Sequence, residues 1–217
     1  MHRVDRREFL RKATVGAAGA GLLAGCGDGG APGVVSTAEG AAVQGPEIQW
    51  RVATSFPPSL DILHGSAERM AARVEELTGG RFRMRVYAAN EIVPALQVMD
   101  AVQQGTVQAG LTGGYYYIGK SPALAFDSTV PFGLTARQQV AWLWHGGGLE
   151  LLEGVYADFG ILPLPCGNTG AQMGGWFREP VGGLSDLSGL RMRIPGIGGE
   201  IMTRLGASVQ VLGGPEI

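Results

Sequence analysis

From residue 48 onward, apolar and polar positions alternate, then recur at helical spacing, then alternate again. Ile48-Gln49-Trp50-Arg51-Val52-Ala53 alternates like a strand. Leu63, Ala67, Met70, Val74 and Leu77 then fall on one stripe of a helix, which Gly79-Gly80 is placed to end. Phe82 to Tyr87 alternates once more, with arginine on the polar side. A second helix is predicted from Pro94 to just before Gly105, with Leu96, Met99 and Val102 facing the core. Val107 to Leu111 is the next strand. Strand and helix taking turns over short connections is the signature of an α/β layer with a mainly parallel sheet.

Beyond this unit the pattern predicts helices over 135–145 and 147–158, and strand-like segments at 161–165, 171–177 and 190–194. A short helix over about 198–205 leads into a strand at Ala207 to Leu212. Val86 to Val93 runs from strand through turn toward a helix. Val209 to Ile217 begins the same way and stops. The expectation is therefore a piece of a longer chain, with a second lobe that is truncated.

Residues 1–47 read differently. Arg6-Arg7-Glu8-Phe9-Leu10-Arg11-Lys12 precedes an uncharged stretch, Ala13 to Gly25, that is too short to span a bilayer. The arrangement resembles a twin-arginine export signal, an address that is read by a receptor. Leu23-Ala24-Gly25-Cys26 resembles a lipoprotein box, so a lipid anchor at Cys26 and plain cleavage nearby both stand. Residues 26–47 read as a flexible tether rich in small residues.

Charge narrows the function classes. The formal net charge is −2, and no basic run or Lys/Arg-aromatic interleaving follows the leader, so nucleic acid is excluded as a partner. Processing at Cys26 would remove five cations and two anions, and the balance would move from −2 to −5. Attraction for an anionic ligand would then depend on a local site. Cys166 would be the second of only two cysteines, which leaves no structural disulfide in the mature chain; it is expected to be a buried, inert thiol.

Catalytic patterns are lacking. His2 lies in the leader, and His64 and His145 have no ligand neighbour at metal-binding spacing, so solvated or capping roles are expected for them. The sequence holds neither a nucleophile elbow nor a phosphate-binding loop. The informative stretches are Asn168 to Phe177 and Leu190-Arg191-Met192-Arg193-Ile194-Pro195-Gly196. In the second, Leu190, Met192 and Ile194 share one strand face and Arg191 and Arg193 the other. An arginine at a strand's carboxyl end points to where open α/β sheets bind ligands, and its planar fork matches a carboxylate. A surface ion pair with Asp186 or Glu179 is the plainer alternative.

Residues 48–217 resemble the DctP-type solute receptors of tripartite ATP-independent periplasmic (TRAP) transporters, nearest to the branch that takes 2-oxo or hydroxy acids such as pyruvate and lactate. The resemblance is carried by Ala88 to Val93, Gly113-Gly114-Tyr115-Tyr116-Tyr117-Ile118-Gly119-Lys120, Gln172-Met173-Gly174-Gly175-Trp176-Phe177 and Leu184 to Gly196. It implies a periplasmic-binding-protein-like, two-lobed α/β clamshell, with a first lobe over 48–165 and the start of a second over 166–217. It implies that Arg193 pairs with a small organic carboxylate and that Gln172 reaches the ligand or a bound sodium or calcium ion. Phe56, Tyr115, Tyr117, Trp176 and Asn168 are further candidates for the cleft, with core packing the alternative for Phe56 and Trp176 and a turn role for Asn168; alternation puts Tyr115 and Tyr117 on one face, and which tyrosine lines the cleft stays open. The resemblance further implies membrane subunits of a TRAP transporter as partners, a periplasmic location and no organic cofactor; pairing as a homodimer stays open. Two rivals remain, an exported cofactor-containing enzyme and a receptor of the same family for a dicarboxylate or sugar acid.

Overall fold

A computed structural model describes residues 45–128 and 130–217. The leader, the Cys26 motif and residues 26–44 of the tether lie outside the described residues.

Strand β1 (Ile48–Thr54) sits between β2 (Phe82–Tyr87) and β3 (Ala109–Leu111), and both pairings are parallel. Ile48 aligns with Phe82 and Ala53 with both Tyr87 and Gly110. Parallel neighbours need a crossover, and the two predicted helices supply it. Helix α1 (His64–Leu77) joins β1 to β2, and α2 (Val98–Gln103), entered by a 3-10 turn at Ala95–Gln97, leads to β3.

Alternation along β1 sends neighbouring side chains to opposite faces. Thr54 meets His64 of α1, while Ala53 packs with Val98 and Ala101 of α2, so the sheet carries a helix on each face. Small residues allow both approaches. α1 buries His64, Ala67 and Ala71, whereas Met70 of the expected stripe is exposed and Leu77 is 67% exposed. The stripe is rotated because alanines bring the helix closer to the strands than methionine or leucine could. On the other face, a Cβ at Gly110 would lie 2.5 Å from Val98 Cγ1. The buried face of α2 is Val98, Met99 and Ala101, with Leu96 and Val102 only half-buried.

Helices α3 (Ala136–His145) and α4 (Gly148–Ala157) come next in the chain. Leu143 of α3 and Leu152 and Tyr156 of α4 form one cluster with Met99, Tyr117 and Leu124. This apolar block supports two 3-10 turns, Gly114–Tyr117 and Pro122–Asp127.

A separate two-stranded parallel sheet follows. β4 (Arg191–Arg193) pairs with β5 (Ser208–Gln210) through α5 (Gly196–Arg204), and Arg193 aligns with Gln210. The strands expected at 161–165 and 171–177 are not formed; among the described residues, 161–183 contains neither helix nor strand. Apolar runs interrupted by Pro163, Pro165, Gly167, Gly170, Gly174 and Gly175 become strands only where a neighbouring ladder takes up their backbone groups. Cys166 lies in this segment and is exposed rather than buried, a consequence of the same missing ladder. His64 also departs from expectation. It is buried, and since the Thr54 hydroxyl donates to Phe56 O at 2.9 Å, the ring contact at 3.1 Å has His64 Nδ1 as donor.

Candidate functional site

Arg193 is the last residue of β4, and the Gly114–Tyr117 turn follows β3 closely, so both lie at strand carboxyl ends. The half-buried guanidinium donates from Nε to Leu212 O at 3.0 Å and from Nη2 to the same oxygen at 2.7 Å. Nη2 also donates to the Tyr116 hydroxyl at 3.2 Å, and the cation stands 6.0 Å from the centre of that ring. Every one of these partners is neutral. Asp186, a candidate counter-ion from the sequence, instead accepts from the Gly182 and Gly183 amides at 2.8 and 3.1 Å. Among the described residues Arg193 has no carboxylate partner and Nη1 has no acceptor. A desolvated cation with unspent donors is a place to bind an anion.

The chain after Arg193 keeps the site tight. Gly196 has a φ of +67°, and a Cβ there would lie 3.1 Å from Tyr115 Cβ. Tyr115 packs on Tyr116 with ring centroids 4.4 Å apart. Burial, reinforced by Tyr116, pushes the Tyr115 phenol above its ordinary range, so it stays a neutral hydroxyl at physiological pH.

Beneath this turn runs a buried chain of hydroxyls. Met99 N donates to Tyr117 Oη at 3.1 Å, and Tyr117 lies 3.1 Å from Thr112 Oγ1. Ser55 Oγ is 2.6 Å from both Thr112 Oγ1 and Ala95 O. Ser55 Oγ is placed to donate to the Ala95 carbonyl and to Thr112 Oγ1, and its one hydrogen serves one of them at a time.

The predicted site residues therefore separate. Arg193 and Tyr115 are brought together. Tyr117 is 4% exposed and joins the buried hydroxyl network. Phe56 is 5% exposed and packs at the end of β1. Asn168 accepts from Gly170 N at 2.7 Å, the turn role left open above. Gln172 is exposed and donates to Thr169 Oγ1 at 2.8 Å, and Trp176 is 91% exposed. No hydrogen bond among the described residues joins Asn168, Gln172 or Trp176 to Arg193. Tyr116 was missed because strand-like alternation selects Tyr115 and Tyr117. In a 3-10 turn, with three residues per turn, three consecutive side chains point three ways. Gly113-Gly114 before the tyrosines was the available signal for a turn.

A profile of the DctP group, bacterial extracellular solute-binding protein family 7, matches residues 53–217. The chain belongs to this family. It is 58% identical over 172 residues to a monocarboxylate 2-oxoacid-binding periplasmic protein of Nostoc, covering 79% of this chain and 47% of that one. The crystal structure of a TRAP transporter solute binding protein from Bordetella bronchiseptica, with co-purified calcium and picolinate, superposes with a TM-score of 0.76 at 46% identity. That match covers 78% of this chain and 50% of the other. A TRAP periplasmic solute binding protein from Pseudoalteromonas atlantica, with sodium and pyruvate, gives 0.76 at 43% identity, covering 79% and 52%. The chain thus spans about half the length of the relatives it matches. The fold is that of TRAP periplasmic receptors, and the family and these relatives are solute-binding proteins, not enzymes.

The relatives' cations invite a test of the donor set. Gln172 offers one amide oxygen, and the described residues contain no group of three or more His, Cys, Asp or Glu side chains that could hold a metal. A hard cation takes six or more oxygens, or fewer with waters. The described residues of this DctP chain do not by themselves make such a site.

Proposed function

We propose that this chain is part of an extracytoplasmic receptor that delivers a small monocarboxylate, a 2-oxo acid such as pyruvate, to the membrane subunits of a TRAP transporter. The single observation that supports it most is the half-buried Arg193 guanidinium held by neutral oxygens alone, with Nη1 facing no acceptor among the described residues. A carboxylate supplies the missing charge, and a small acid suits a site walled by tyrosines. The 58% identity to a 2-oxoacid-binding protein and the pyruvate in a 43% identical structure favour that class over dicarboxylates or sugar acids. In this reading the ligand sits between a lobe over 48–165 and a lobe beginning at 166, and closure follows the ligand's preference for the closed state.

Gln172, Trp176, Asn168 and Phe56 remain candidates for the ligand-bound state, reached when 161–183 pairs with further strands. Sodium or calcium, with Gln172 as one ligand, belongs to that same assembled state, as does pairing into a dimer. The leader supports periplasmic delivery by the twin-arginine route, and mass analysis of the mature amino terminus separates lipidation at Cys26 from plain cleavage.

The direct test is pyruvate binding to Arg193→Ala in the full-length protein, followed by calorimetry. Affinity should fall by about a hundredfold or more, because a desolvated carboxylate loses its counter-charge. Wild-type affinity in that variant would remove the assigned role.

A further inference from the structure

Asp127 closes the Pro122–Asp127 turn and is tied to the segment that meets Arg193. Its two carboxylate oxygens accept from the Gly114 amide at 3.2 and 3.1 Å, and Oδ2 also accepts from the Tyr156 hydroxyl at 2.5 Å. Gly114 is the first residue of the turn that carries Tyr115 and Tyr116. No side chain would fit there, since a Cβ would run into Asp127 Oδ2 and the Leu124 carbonyl. Tyr156 belongs to α4 and is rooted in the core cluster. One carboxylate thus fastens the amino end of the tyrosine turn to a helix.

We infer that Asp127, held by Tyr156, is a positioning residue for the ligand site, setting the Gly114–Tyr117 turn so that the Tyr116 hydroxyl meets Arg193. The chain of contacts is continuous: Tyr156 to Asp127, Asp127 to Gly114 N, the short turn to Tyr116, and Tyr116 to Arg193 Nη2. A 3-10 turn of four residues has few internal hydrogen bonds to hold its own shape, so an external acceptor for its leading amide fixes where its side chains point. Without that acceptor, the phenol of Tyr116 is free to leave the cation. Burial raises the Asp127 carboxyl above its ordinary value, which fits a group kept out of water for a structural purpose.

This inference rests on the assignment of Arg193 to the ligand, so the experiment separates the two. Pyruvate affinity is measured by calorimetry on the full-length protein and on Asp127→Ala, Asp127→Asn, Tyr156→Phe, Tyr116→Phe and Arg193→Ala, with melting temperatures alongside. Asp127→Ala should weaken binding about tenfold, and Asp127→Asn, which retains an acceptor for the Gly114 amide, should recover most of the loss. In a Tyr116→Phe background, Asp127→Ala should cost almost nothing more, because both changes break one chain of contacts. If Asp127→Ala does not fold, the Tyr156→Phe and Tyr116→Phe cycle decides the matter, with the same non-additivity expected. Effects that simply add, or wild-type affinity in Asp127→Ala while Arg193→Ala has lost binding, would overturn the inference alone. Wild-type affinity in Arg193→Ala would overturn the ligand assignment and this inference with it.

Discussion

Both hydrogens on Nη2 of Arg193 are committed, one to the Leu212 carbonyl and one to the Tyr116 hydroxyl, so the end of the fork at Nη1 is what remains for a ligand. Tyr116 accepts from the arginine. In the proposed receptor, a carboxylate receives its charge-assisted bond from Nη1. An ammonium sends its three donors from a single nitrogen, whereas the planar guanidinium holds Leu212 and Tyr116 from Nε and Nη2 and presents Nη1 as a separate donor, which is why arginine suits the position. Close by, Gly196 combines left-handed backbone with a Cβ site 3.1 Å from Tyr115. Gly196→Ala should lower stability by about 1–2 kcal/mol, from the backbone term plus the contact. Urea unfolding measures this, and an unchanged midpoint would mean the turn relaxes without cost.

At the scale of elements, the helices differ in what holds their ends. α3 carries a full capping box: Gln138 N donates to Thr135 Oγ1 at 3.4 Å and Thr135 N to Gln138 Oε1 at 2.9 Å. α1 has no side-chain cap and relies on packing of its alanine face. Thr135→Ala is expected to cost about 1 kcal/mol of stability, read as a lower urea midpoint with pyruvate affinity unchanged. The 161–183 segment shows the opposite limit. Its apolar residues, Leu162, Leu164 and Met173 among them, are exposed because no neighbouring strand takes their backbone bonds.

For the whole molecule, burial concentrates neutral acids around the tyrosine turn. Tyr115, Tyr117 and Tyr156 are all pushed up by burial, and for Tyr156 the Asp127 carboxylate adds to the effect. In the unfolded chain these phenols ionise near pH 10. Above that pH the unfolded state sheds protons that the folded state keeps, so stability present below about pH 10 is lost as the pH rises further. Urea midpoints between pH 8 and 11 should fall more steeply for the wild type than for Tyr156→Phe, and parallel curves would refute the assignment.

Much of this was readable in the chain. The positions and types of β1, α1, β2, α3, α4 and α5 follow from periodicity and glycine stops, and Arg193 stood out because alternation set it apart from Leu190, Met192 and Ile194. These are local properties, set by which side chains share a face within a few residues. The buried face of α1, the role of Tyr116 and the fate of 161–183 depend on what lies opposite in space. Alternation could not separate three adjacent tyrosines, since a 3-10 turn and a strand distribute the same residues differently. The Leu212 carbonyl that holds Arg193 carries no sequence signal, because every residue has one. Hydrophobic spacing along the chain determined most of the helices and strands; only tertiary contacts decided whether 161–183 forms strands and which donors and acceptors meet, because hydrogen bonds between distant segments depend on distance and direction and leave no period in the sequence.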